Sequence, residues 1–247
     1  MPQVHVLRIG SVTAVLGGIF TLAGNIIHPR AEGQLEDPET LLQIVAGSDI
    51  WVADHVIIAI GVTLLLGAFY GVTHSISDDS ATAWARLAWG VAIVGVGLGA
   101  LLMLTEAVAV AGIAETWATS SGTEADLALA AGSALFHFSL ALAAAAPLFL
   151  FGIAPMLTGR AILSSHEYPS WVGVAGMILG GMGVVANIGQ VLTGVTTQSG
   201  LVLVPIGIVG VTLWMIYLGV VMWRRSIGSR AADDGVRPAL QAERQTS

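Results

Sequence analysis

Long apolar blocks, rather than short alternations, organise this chain. A membrane-spanning helix needs about 20 mostly apolar residues, and six stretches qualify, at about 9–28, 51–73, 87–113, 127–157, 171–192 and 201–223. The predicted fold class is therefore all-α, a polytopic transmembrane bundle of six helices formed by residues 1–225 as one domain. The polar connections are short except for "PRAEGQLEDPETLLQIVAGSD", between the first two blocks. Within it, Asp37 and Pro38 make a good N-cap and first-turn pair. Leu41, Leu42 and Val45 then share one face, which predicts a short helix lying on the membrane surface. The first block follows Arg8 and ends at "NIIHPR" with no small-residue cleavage site, so it is expected to be a retained span. Residues 226–247 are polar and lack apolar periodicity, which predicts a disordered tail with at most a frayed extension of the last helix.

Inside the blocks, small residues recur at the i, i+3/i+4, i+7 spacing of one helical face, the pattern that lets membrane helices approach closely. The fifth block carries Gly173, Gly176, Gly180 and Gly183, and the same spacing reaches Asn187 and Gln190. In the third, Gly95 and Gly99 lead to Glu106. The first runs Gly17, Thr21 and Gly24 to His28, and the fourth runs Ala130, Ser133, His137, Ala141 and Ala144. On each such stripe sits the strongly polar residue of its helix, so the inward faces are expected to share a polar site.

Composition supports the membrane assignment: 55% of the 247 residues are hydrophobic and 10% charged, against about a quarter charged in soluble domains. There is no cysteine and no lysine, which excludes thiolate metal sites, disulfides and lysine Schiff bases. A net charge of −7 argues against nucleic acid as a partner. All nine basic residues are arginine; with both termini cytoplasmic, eight fall on the inner side and only Arg30 outside, a clear positive-inside pattern. The expected location is the cell membrane, multi-pass, with the lipid bilayer as the first partner. In that orientation the outer connections are acidic, and Trp51 and Trp117 mark the outer interface. His28, Asp54, His55, Glu106, His137, Asn187 and Gln190 all fall in the outer half of the bundle.

Intramembrane ionisable groups usually pair, and they point to function. The first reading is a metal site with His55, Glu106 and His137 as ligands and with His28, Asp54, Asn187 and Gln190 as a supporting polar shell. Two imidazoles and a carboxylate suit zinc, which would activate a water, or non-haem iron, which would do redox chemistry. A haem held between His55 and His137 is a weaker alternative. The competing class is a proton- or cation-coupled transporter using the same groups, with Pro147, Pro155 and Pro205 breaking helices as in many transporters. A third is a noncatalytic accessory subunit joined to other helices through its glycine faces. A buried hydrogen-bonded network that only fixes helix packing stands beside all three. Ser133, four residues before His137, has no nucleophile elbow around it.

A first span ending in a polar motif, the run "YPSWVGVAGMILGGMG" opening the fifth span and "LWMIYLGVVMWRR" closing the sixth resemble a bacterial and archaeal membrane family catalogued as domain of unknown function 4386. The resemblance covers nearly the whole chain up to Arg225 and implies six spans in a compact bundle. It implies no reaction and no site residues.

Overall fold

The computed structural model describes residues 2–29, 37–193 and 205–228, and among these it contains helices and no strand. The helices are α1 (Pro2–Ile27), α2 (Pro38–Ala46), α3 (Trp51–Thr73), α4 (Asp79–Thr119), α5 (Thr123–Leu163), α6 (Ser170–Thr193) and α7 (Pro205–Gly228). All but α2 are long and apolar enough to cross a membrane, which gives six spans, as expected. Of the tail expected from residue 226 onward, residues 226–228 continue α7, and the remainder lies outside the described residues.

Glycine explains how the spans pack. A Cβ on Gly10 would lie 2.8 Å from Gly71 Cα, and one on Gly17 would lie 2.8 Å from Leu65 N, so α1 and α3 meet backbone to backbone. The glycine stripe of α6 meets the second half of α5 in the same way. There Gly173 faces Gly159, and Gly180 faces Gly152 and Met156. Gly176 instead accepts the indole of Trp214 from α7, whose Nε1 donates to Val172 O at 2.9 Å. These glycine faces are thus covered from within the chain.

Two spans are longer than the sequence pattern suggested. The α4 and α5 helices each run 41 residues, about 60 Å at 1.5 Å per residue, roughly twice the hydrocarbon thickness. Their joined ends project past the start of α3 and turn tightly at Gly122, whose φ of 62° and ψ of −138° suit only glycine. This projection changes the role of α2. Asp37 caps it as the sequence indicated, accepting from Thr40 N at 3.0 Å and Glu39 N at 3.3 Å. Its apolar face does not lie on the membrane surface, however. Leu41, Leu42 and Val45 are buried with Trp51, Val110, Ala114 and Phe136 against the projecting ends of α4 and α5. The long hairpin offers α2 an apolar wall that the sequence-based boundaries had left out.

Each long helix also contains one wide, π-helical segment: Thr105–Val110 in α4 and Leu148–Ile153 in α5. The second follows Pro147, which has no N–H to give an ordinary turn. At the opposite end of the bundle, the connections before α4 and α6 lock together. Tyr168 and Ser75 share a hydrogen bond of 2.5 Å, and Glu167 accepts from Ser77 N at 2.9 Å. Arg225 of α7 stands 4.3 Å over the Tyr168 ring. Slight burial pushes the Glu167 carboxyl up, but the Ser77 hydroxyl and amide outweigh it and hold it below its ordinary value.

Candidate functional site

The site forms where α1 ends, α3 begins and α4 widens. Trp51, Asp54 and His55 occupy the first turn and a half of α3, at the spacing of one helical face. The Gly24 contact with Ile58 and Asp54 O presses the end of α1 against that face, which delivers His28. Glu106 is the second residue of the π segment in α4, a kind of segment that recurs at functional sites.

These residues form one continuous chain. His28 Nδ1 lies 2.7 Å from Asp54 Oδ2, His55 Nδ1 lies 2.8 Å from Asp54 Oδ1, and His55 Nε2 lies 2.8 Å from Glu106 Oε2. Asp54 and His55 are fully buried, whereas the side chains of His28 and Glu106 each remain 19% exposed. Trp51 closes the group: its Nε1 donates to Glu106 O at 2.9 Å, and its ring lies 4.3 Å from that of His55 and 5.3 Å from that of His28.

The acceptors determine where protons must sit. His55 Nδ1 is also 2.7 Å from Trp51 O, a carbonyl that can only accept, so this nitrogen carries hydrogen. The contact between His55 Nε2 and Glu106 needs a second proton, on one partner or the other, and the contact between His28 and Asp54 needs a third. Two neutral imidazoles beside two carboxylates hold only two protons. For all three contacts to be hydrogen bonds, the four groups must hold at least one proton more.

His137 stands apart from this chain. It is on the exposed side of α5, and its ring contact is with Phe136 beside it, at 5.5 Å. The buried positions in the first part of α5 are Ala128, Gly132, Phe136, Ser139, Leu142, Ala144 and Ala146; of the expected stripe only Ala144 is among them. Small residues occur on every side of this alanine-rich helix, so they do not fix its phase; the bulky Phe136, packed with Trp51 and Val110, does. A ligand set of His55, Glu106 and His137 does not assemble, and neither does a haem-binding pair of His55 and His137. Asn187 and Gln190 are buried, but Asn187 Nδ2 donates to Gly183 O of its own helix at 2.8 Å, and Gln190 lines a cavity between the spans. Trp51, read from the sequence as an interface marker, belongs to the site; its position three and four residues before Asp54 and His55 is the signal that could have placed it there.

A different trio offers metal-type donors: His28, Asp54 and His55 place ligand atoms within 4.8 Å of one another. In kind, two imidazoles and a carboxylate suit zinc or iron. With no ion between them, the two Nδ1 atoms hydrogen-bond to different oxygens of Asp54, at 2.7 and 2.8 Å. An ion at this trio would also have to take the Nδ1 proton that His55 shares with Trp51 O.

Fold and site together define an integral membrane protein of six apolar spans with a His–Asp–His cluster extended by a glutamate. Comparison with family models, with curated proteins and with solved structures gives no match to this chain. Its function rests on its own geometry.

Proposed function

We propose that this is a proton-handling protein of the cell membrane, in which His28, Asp54, His55 and Glu106 form a relay that loads and releases one proton. The observation that carries the reading is the double commitment of His55 Nδ1, to Trp51 O and Asp54 Oδ1, which leaves Nε2 and Glu106 to share a proton. The two partly exposed groups are the ends of the relay and the two buried groups its middle, so a proton gained at one end can be given up at the other by successive hydrogen-bond exchange. The arginine distribution supports an outward-facing relay, since among the described residues Arg8, Arg86, Arg160, Arg224 and Arg225 all lie toward the other end of the bundle. Proton-coupled transport of a small molecule is the activity this serves best, and the π segments and Pro147 supply helix interruptions of the kind transporters use.

The test is a proton titration of detergent-purified protein by pH jump with an indicator dye. Wild type is expected to release one more proton per chain than Glu106→Gln as pH rises. Equal release would refute the relay. A stoichiometric zinc or iron found by elemental analysis and lost in Asp54→Asn would replace it with the metal reading.

A further inference from the structure

Toward the end of the bundle where the connections before α4 and α6 lock together, α1 and α7 meet at small residues. A Cβ on Gly219 would lie 2.9 Å from Ala14 Cβ and 3.0 Å from Ser11 O, so the two helices touch closely there. Beside that contact their surfaces part into an open groove of about 330 Å³. Ser11, Val12, Val15 and Leu16 of α1 line it, with Val220 and Trp223 of α7. Val12, Leu16, Val220 and Trp223 are all exposed, so the groove opens toward lipid rather than into the protein.

Each helix places an arginine at the end of this groove. Arg8 precedes Ser11 and Val12 by three and four residues, and Arg224 follows Val220 by four, so each continues a groove-lining face by one turn. The Arg8 guanidinium stands 5.7 Å over the Trp223 ring, which holds it at the groove's mouth. Neither Arg8 nor Arg224 has a hydrogen bond or an ion pair among the described residues. Arg160, exposed at the same end, differs: it donates to Ser164 Oγ at 2.6 Å and covers the Trp84 ring. Arg8 is half-buried, but only its Nε is closed off, which leaves the terminal nitrogens to meet an anion from outside. Arg224 is exposed. Two like charges beside an apolar wall, with no carboxylate of the protein's own to balance them, attract a negative ligand.

We infer that this groove holds one anionic phospholipid of the adjoining leaflet. An acyl chain lies along Val12, Leu16 and Val220, and the phosphate sits between Arg8 and Arg224. Charge complementarity selects this occupant. A zwitterionic lipid brings its own cation to the same place, and a symmetric second copy of the chain would bring two more arginines. The site is at the opposite end of α1 from His28 and does not depend on the relay.

The test titrates full-length protein in detergent with phosphatidylglycerol and with phosphatidylcholine of the same acyl chains, counting bound lipid per chain by native mass spectrometry. One phosphatidylglycerol is expected to be retained, at least fivefold more tightly than phosphatidylcholine. Arg8→Gln and Arg224→Gln should each weaken phosphatidylglycerol about fivefold and leave phosphatidylcholine unchanged, whereas Arg8→Lys should retain most of the binding. Val220→Phe, which fills the groove from an exposed position, should weaken both lipids. Arg160→Gln should bind like wild type, which separates a site from general positive charge. Glu106→Gln should also bind like wild type, so this result stands even if the relay reading fails. Equal retention of the two lipids would overturn the proposal. So would a loss in Arg160→Gln matching that in Arg8→Gln, or no loss in Arg8→Gln and Arg224→Gln protein that remains monodisperse and helical.

Discussion

At the scale of single residues, Asp54 is the joint of the site. Each of its oxygens meets an imidazole Nδ1, and no part of its side chain reaches solvent. Asparagine has the same shape but only one accepting oxygen, so in Asp54→Asn one histidine must either lose its partner or give up its Nδ1 hydrogen to accept from the amide. Hydrogen bonds to a charged group contribute about 1.5–3 kcal/mol each, and a destabilisation in that range is expected from thermal or chemical unfolding in detergent. His137→Ala should change stability by no more than about 0.5 kcal/mol, as surface substitutions usually do, because its side chain faces outward. The contrast between these positions also marks what residue-level reading could reach. His28, Asp54, His55 and Glu106 were legible as one cluster because each is an expensive group in a membrane and all fall at similar depth. His137 is equally conspicuous by that criterion. Only helix phase separates it from the others, and alanine-rich sequence does not encode phase strongly.

At the scale of elements, close glycine contacts set helix distance, and the two kinds of glycine in α6 separate cleanly. A Cβ on Gly180 would stand 2.5 Å from Met156 N and 2.6 Å from Gly152 O, whereas one on Gly181 would meet nothing within 4 Å. Gly180→Ala must push α5 and α6 apart and should lower the unfolding temperature or the monodisperse yield. Gly181→Ala should leave both unchanged or slightly raised, since alanine favours helix by about 1 kcal/mol. If both variants behave alike, the packing described here is wrong. The existence and order of the six spans were readable from apolar length alone. The π segments were not, because a π turn is a local compromise with tertiary neighbours and leaves no periodic trace. Nor was the docking of α2, which depends on how far α4 and α5 project beyond the bilayer-sized core.

At the scale of the whole molecule, the relay lies beneath a cap made by α2 and the hairpin of α4 and α5, while the opposite end is tied by the Ser75–Tyr168 and Ser77–Glu167 contacts. Which end faces out is a matter of charge, and the chain has no cysteine of its own to interfere with a direct assay. Ser121→Cys, at the exposed tip of the hairpin, should react with a membrane-impermeant maleimide in intact cells. Ser80→Cys, exposed at the tied end, should react only after permeabilisation. The reverse pattern would turn the relay toward the cytoplasm and reassign the source of its proton.

The central claim is that His55 Nε2 and Glu106 share a proton while His55 Nδ1 holds another. Nitrogen-15 NMR of histidine-labelled protein, with His55 assigned by its loss in His55→Gln, reads both nitrogens directly. The account predicts a protonated Nδ1 and, near neutral pH, either an imidazolium or an Nε2 hydrogen-bonded to a protonated Glu106, with the Glu106 acid visible as a carboxyl stretch in the infrared. In Glu106→Gln, His55 should become a neutral imidazole protonated at Nδ1. A neutral His55 beside an ionised Glu106 at neutral pH, or an unprotonated Nδ1, would contradict it.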